Sequence, residues 1–279
     1  MAYKTILAHM SNEEVSPAVL KVASLLADRH SAHLVGLHIQ PPLDLYVSEL
    51  PMPIDVTREY SKRQRQKQAR LSDLFESATQ TQNYVSEWRC VDAMADSVLN
   101  ALVEQGNTAD LMVISQTEGD DSDSRFRHLP EHVLMACGRP LMVVPAGSLV
   151  DTVAERILVA WDGRRESTRA LFGALPLLRR ASEVRLHRIN QPHKDRHRIV
   201  GITEELANTL GRHGVALEIV HSDAHGNEIA EELMGFTRDM DADLMVMGCY
   251  GHSPLREFVL GGTTRTILAE TPIPVLMSN

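Results

Sequence analysis

Two stretches of the chain begin with the same five residues. "ADLMVISQTEG" starts at Ala109 and "ADLMVMGCYGH" at Ala242. They belong to a longer correspondence. "KTILAHMSNEEVSPAVLKVASLLA" from Lys4 matches "RILVAWDGRRESTRALFGALPLLR" from Arg156, and "RPLMVVP" from Arg139 matches "IPVLMSN" from Ile273. Three matches in one order make a duplication of a whole structural unit, and a repeat of this kind constrains the fold more than any local signal. Ile6 and Ile157 differ by 151 positions, Asp110 and Asp243 by 133, so the first copy is longer by 18 residues between those points. The excess falls in residues 41–70, where Pro41, Pro42, Pro51 and Pro53 mark a loop. The basic run Lys62–Arg70 that follows reads as a solvated helix face.

Each copy alternates short apolar runs with stretches of helical spacing. "TILAHM" and "RILVAW" read as first strands, "HLVGLHI" and "EVRLHRI" as second, "VSEWRCV" and "ALEIVHS" as third. "ADLMVIS" and "ADLMVMG" are fourth strands, and "PLMVVP" and "PVLMS" fifth. Helical spacing lies between them, for example over 96–105 and from Glu228. Strands apolar on both faces and separated by helices imply a parallel sheet covered on both sides. The expected fold class is therefore α/β: two tandem open parallel five-stranded sheets with helices on both faces. The boundary is expected in "PAGSLVDTVAE", giving units 1–147 and 153–279. The length of 279 residues suits two domains of about 140 each.

Composition removes several function classes. The net charge of −9 argues against a general nucleic-acid binder, whose surface must be basic. Cys90, Cys137 and Cys249 form no CxxC pair and read as reduced thiols. The N-terminus lacks the apolar core of a signal peptide, and no apolar run reaches the ~18 residues of a membrane span. A cytoplasmic protein without membrane contact is expected.

The candidate site is "VMGCYGHSPLREFVLGGTTRTIL", Val246–Leu268. In open parallel sheets, ligands bind beyond the carboxyl ends of the strands where the strand order reverses. Strand four of the second copy ends at Met247 and runs into Gly248. Gly251 follows, and nine residues later come Gly261, Gly262, Thr263 and Thr264, opening a helical stretch. Glycine permits sharp turns and close approach of a ligand to the main chain. The unpaired N–H groups of a helix start attract anions, and two hydroxyls add donors. These features together suit a phosphate chain. The motif is neither a Walker A loop nor a single-turn GxGxxG.

Gly248-x2-Gly251-x9-Gly261, closing on "PIPVLMS", resembles the ATP-binding signature of the universal stress protein family. The resemblance covers the whole chain as two copies and implies the strand order 3-2-1-4-5 in each. Where the family often has Ser or Thr after the third glycine, this chain has Gly262, so that hydroxyl is lost or shifts to Thr263 and Thr264. The resemblance implies an adenine nucleotide as ligand: ATP, or ADP or AMP, with Mg²⁺ bridging the phosphates. By the same resemblance Asp162, ending the first strand in "ILVAWDG", lies near ribose or the phosphate-bound Mg²⁺, a place that Asp also favours as a helix cap. Ala160 and Trp161 would wall the base pocket, the backbone of Ile189 would meet adenine, Met247 would pack on the base, and His252 would reach a phosphate. The family also implies an intramolecular pseudo-dimer through the two fifth strands, and allows a homodimer of whole chains.

In the first copy Ser115 stands for Gly248 and Glu118 for Gly251. Arg127 and His128 replace Gly261 and Gly262, Pro130 replaces Thr264, and Ser11 replaces Asp162. Side chains enter where the main chain should meet phosphate, and Pro130 has no N–H to donate. Glu118, Asp120, Asp121 and Asp123 add negative charge. Nucleotide binding is expected in the second unit alone, in a regulatory protein of the stress response with an unidentified protein partner. Two alternatives stand beside it: a slow ATPase or phosphotransferase using Asp162 and a metal, and a module binding a protein or metal through Cys249 and His252. No catalytic motif such as GxSxG or HExxH occurs. Of the thirteen histidines, His187 reads as lying on a strand and His221 at a strand end.

Overall fold

The structure, a computed structural model, describes residues 2–41, 46–47, 50–51, 54–93, 97–116, 128–148, 150–189, 196–222, 228–249 and 262–279. The first half runs β1 (Thr5–His9), α1 (Ser16–His30), β2 (His33–Gln40), β3 (Tyr46–Val47), β4 (Leu50–Pro51), α2 (Ile54–Thr79), β5 (Ser86–Asp92), α3 (Val98–Gly106), β6 (Leu111–Ser115), α4 (Leu129–Ala136) and β7 (Leu141–Val144). The second half runs β8 (Arg156–Ala160), α5 (Arg165–Gly173), α6 (Leu175–Leu178), β9 (Glu183–Ile189), α7 (Arg196–Arg212), β10 (Glu218–Ser222), α8 (Glu228–Asp239), β11 (Leu244–Gly248), α9 (Gly262–Glu270) and β12 (Val275–Ser278). Residue 96, where the first copy's third helix was expected to begin, lies outside the described residues. So do Pro42 and Pro53.

Each half has the strand order 3-2-1-4-5, as β5-β2-β1-β6-β7 and as β10-β9-β8-β11-β12. The expectation of two separate sheets needs one correction. β7 and β12 pair antiparallel, Val143 opposite Val275, Met142 opposite Leu276 and Leu141 opposite Met277, and this joins the halves into one ten-stranded sheet. The physical reason is that the fifth strand is an edge in each half, and an unpaired apolar edge is satisfied best by another strand. All other neighbours in the large sheet are parallel.

The sheet is covered on both faces, and each apolar layer draws on both halves. One layer holds Val19, Leu26 and Phe75 of α1 and α2 together with Leu171, Leu177 and Leu210 of α5, α6 and α7. The other holds Leu102 and Val133 of α3 and α4 with Leu233 and Ile267 of α8 and α9. On α2, which is nine residues longer than its counterpart α7, Lys62, Arg63, Arg65 and Arg70 are exposed. No helix among the described residues is long and apolar enough to cross a membrane.

The repeated Asp of "ADLMV" does the same work twice. Asp110 Oδ2 accepts hydrogen bonds from the backbone N–H groups of Lys4 (2.7 Å) and Thr5 (3.0 Å). Asp243 Oδ1 accepts from those of Glu155 and Arg156, both at 2.9 Å. Each carboxylate ties the start of a half's first strand to its fourth. Across the junction, the Tyr3 hydroxyl donates to the Gly173 carbonyl (2.7 Å), and Gln116 Nε2 to the Leu268 carbonyl (2.5 Å). Arg29 on α1 binds the connection into the second half. Its guanidinium donates to the carbonyls of Val153 (2.9 Å), Ala154 (3.1 Å) and Arg180 (2.6 Å) and pairs with Glu155 (3.2 Å). Arg180 returns a hydrogen bond to the Arg29 carbonyl. Arg29→Ala leaves those acceptors without their donor, so a loss of about 1–3 kcal/mol is expected in denaturant unfolding. Arg63→Ala, which breaks an exposed i,i+4 pair with Glu59, should leave stability nearly unchanged by the same measurement.

Candidate functional site

In the second half the strand order reverses between β8 and β11. The crevice beyond their carboxyl ends is the place where such sheets take ligands. β8 ends at Ala160 and runs into Trp161, Asp162 and Gly163. Trp161 is 5% exposed, and its backbone N–H donates to the His187 carbonyl (3.0 Å), which continues the β8–β9 pairing by one residue. Gly163 has φ +80°, a conformation that L side chains rarely adopt.

Asp162 is held in a turn. Its Oδ1 accepts from the Arg164 backbone N–H (3.0 Å) and from Ser167 Oγ (2.7 Å), which fixes the start of α5. Oδ2 lies 3.6 Å from Arg164 Nε, and the side chain is 53% exposed. One oxygen therefore serves the helix start and the other lies beside the Arg164 guanidinium. Beside it stands a residue the sequence reading did not single out. Arg188, next to the end of β9, is buried and places its guanidinium carbon 4.9 Å from the Trp161 ring centroid. The available signal was its place in "EVRLHRI", where it shares the inward phase of the strand with Val184 and Leu186.

Gly248 needs a correction to the sequence reading. Its φ is not positive, and the space a Cβ would take is occupied by protein. A Cβ there would stand 2.3 Å from the Ser167 backbone N and 2.6 Å from the Glu166 carbonyl carbon. Glycine is required at this position because the first turn of α5 packs on the end of β11.

Met247 is buried in the layer against which Ala160 and Ile189 also pack. At the start of α9, Gly262 is exposed, Thr263 half-buried and Thr264 buried. Gly251, His252 and Gly261 lie outside the described residues, as do Glu118, Asp120, Asp121, Asp123 and Arg127. Burial pushes the Cys249 thiol up to about 12, helped by Glu166, and its Sγ donates to the Ser278 carbonyl. A neutral buried thiol makes a poor metal ligand, and among the described residues no three of His, Cys, Asp or Glu come together. His187 is buried too, with Nε2 2.7 Å from Ser222 Oγ and 3.6 Å from Glu232.

The first half fills the matching places differently. Ile6 pairs with Leu34 as Ile157 pairs with Val184, so His9 takes the place of Ala160 and His38 that of Arg188. His38 Nδ1 donates to the Met10 carbonyl (2.8 Å). Both rings are buried, and burial lowers the pKa of each, His9 to about 3, so both are neutral near pH 7. His128, with φ +59°, precedes α4 and its Nδ1 lies 3.1 Å from Glu131 Oε1, while Pro130 occupies the first turn. His128 thus stands where α9 has the exposed Gly262, and Pro130 where it has the buried Thr264. Ser115 tolerates its side chain, which donates to the Gln116 carbonyl.

Comparison with known proteins gives the class. Residues 154–279 match the profile described as the Universal stress protein family. A curated universal stress protein of Synechocystis sp. is 28% identical over 149 residues, 52% of this chain and 49% of the relative, so the chain spans about half the length of that protein. Among solved structures, a universal stress protein from Archaeoglobus fulgidus superposes with a TM-score of 0.71 at 16% identity, covering 99% of this chain and 96% of its own. A second solved structure, from Pseudomonas aeruginosa, gives 0.58 at 16% identity, covering 99% and 92%. Residues 154–279, just under half of the chain, are thus similar to the universal stress protein family. The first half repeats the same strand order, and the fold over the whole length is that of the Archaeoglobus fulgidus structure.

The buried histidines carry a pH dependence. A histidine whose folded pKa lies below its unfolded value contributes stability that is present above the unfolded pKa of about 6.5 and is lost as pH falls toward the folded value. Stability should therefore decline from pH 6.5 toward about 3 through His9 and toward about 4 through His30. In His9→Leu the decline measured by denaturant unfolding should be shallower, by up to about 1.4 kcal/mol per pH unit. An unchanged slope would show that His9 does not contribute.

Proposed function

We propose that the second half binds an adenine nucleotide, with ATP as the expected form, and that the chain is a nucleotide-responsive regulatory protein of the stress response. One observation carries this reading. At the strand-order reversal of the half that matches the family stand the half-exposed Asp162 and the buried Arg188, whereas the first half has Ser11 and the neutral His38 at the matching places. The phosphates would run to the start of α9, where Gly262 and Thr263 remain accessible and the helix dipole favours an anion. Gly251, His252 and Gly261 of the motif would complete that end, with Ala160, Trp161, Ile189 and Met247 at the base end. Asp162, half-exposed, would support a phosphate-bound Mg²⁺. Residues 1–147 would act as the packing partner of 153–279, and the bound state would alter contact with a protein partner.

The test is mass spectrometry of the small molecules released when the purified protein is denatured, with Gly261→Arg beside the wild type. That variant copies Arg127 of the first half. An adenine nucleotide should leave the wild type and not the variant. ATP at about 100 times its Kd should stabilise the wild type by about 2.7 kcal/mol, read as a rise of several degrees in Tm. If neither protein releases a nucleotide and ATP leaves the wild-type Tm unchanged, the glycines are turns and the reading is wrong.

A further inference from the structure

The two helices that begin at the candidate site both end at the seam between the halves. α5 starts beside Asp162 and α9 starts at Gly262, and each is nine residues long, roughly 14 Å from end to end. The last carbonyls of a helix have no partner inside it and must find one outside. In both helices a proline just past the end sharpens that need. Gly173 ends α5; Pro176, three residues on, has no N–H, and the N–H of Leu177 goes to the Ala174 carbonyl. Leu268 lies in the last turn of α9; Pro272, four residues on, has no N–H, and that of Thr271 goes to the Ile267 carbonyl.

Both carbonyls are answered from the first half. The Tyr3 hydroxyl donates to Gly173 at 2.7 Å, and Gln116 Nε2 to Leu268 at 2.5 Å. Tyr3 is 3% exposed. Burial, with Asp110 adding to it, raises the pKa of its hydroxyl, so the donor keeps its proton. The end of α5 also rests on the first half: a Cβ built on Gly173 would stand 2.8 Å from Pro140 Cγ. The duplication does not return these two supports. Ala154 stands for Tyr3 and has no donor in its side chain, and Cys249 stands for Gln116 and donates to the Ser278 carbonyl of its own half. The other ends of the same helices carry groups that the nucleotide reading uses. The first turn of α5 holds Asp162 and packs on Gly248 at the end of β11, and α9 presents Gly262 and Thr263.

We infer that Tyr3 and Gln116 are positioning residues for the nucleotide site: the half without the glycine motif holds in place the two helices that frame the site in the other. The inference rests on the reading that the second half binds a nucleotide. Gln116 acts on the phosphate end through α9, and Tyr3 on the Asp162 end through α5. A helix this short moves as one rigid element, so fixing its last turn also fixes its first. Linkage makes the effect reciprocal, because a nucleotide that binds more tightly when these contacts are made strengthens them in return.

The experiment is calorimetric titration of the full chain and of Gln116→Met with ATP, adenosine and inorganic tripolyphosphate. Methionine keeps an unbranched side chain of similar length and removes the donor. Affinity for ATP and for tripolyphosphate should fall by about three- to tenfold, the worth of one neutral hydrogen bond. Adenosine, which brings no phosphate to α9, should bind as before. Gln116→Lys returns a donor to the negative end of the helix and should restore the affinity for ATP. Tyr3→Phe removes only the hydroxyl and should also weaken ATP binding. If Gln116→Met does not fold, Gln116→Glu makes the same test, because a carboxylate of the same shape cannot donate. A lower Tm with every affinity unchanged overturns the inference, leaves the two bonds as seam contacts alone and leaves the nucleotide reading intact. An equal loss for adenosine in Gln116→Met overturns it as well, since the site would then have failed as a whole. A wild type that binds none of the three ligands overturns both.

Discussion

The antiparallel pairing of β7 with β12 is the contact on which the rest of the molecule depends. Each half ends in a short apolar strand whose outer edge carries unpaired N–H and C=O groups. Four-residue strands such as Leu141–Val144 and Val275–Ser278 are too short to hold two domains alone. They work because the sheet they join is buried on both faces, so each apolar layer crosses the seam. The Arg29, Tyr3 and Gln116 hydrogen bonds then fix the two halves at the flanks.

That arrangement separates the demands of folding from those of binding. The layers and the two Asp ties at Asp110 and Asp243 are kept in both halves, and these preserve the sheet. The residues at the strand ends are free to diverge, because little of the core depends on them. In the second half the divergence leaves a carboxylate oxygen and a guanidinium at the crevice. In the first half it leaves two neutral imidazoles and a helix start occupied by Glu131 and Pro130.

Much of the fold was legible in the sequence because the duplication doubled every signal. Apolar runs such as "DLMVI" and "DLMVM" were unambiguous as buried strands, and their spacing implied parallel crossovers. The contact of the two fifth strands was implied by the family resemblance, but not their antiparallel pairing into one sheet, which depends on the facing edges of the folded units. At the site, Asp162 was readable both as cap and as ligand-facing group, and the structure shows one oxygen at the start of α5 and the other beside Arg164. The packing role of Gly248 was not legible because its missing Cβ makes room for the backbone of α5, a neighbour distant in sequence. Arg188 was passed over because an arginine in a strand normally faces solvent. Its burial follows from α7 and Trp161 closing over it. His9 and His38 looked like strand residues of no special kind until the pairing register placed them opposite Ala160 and Arg188.

The central claim is that one fold, used twice, retains one nucleotide site. Native mass spectrometry of the 31.0 kDa chain at saturating ATP counts bound nucleotides directly. The expected result is one ATP per chain. Two per chain would show that the first half binds despite its histidines and Pro130, and none would remove the nucleotide from the account altogether.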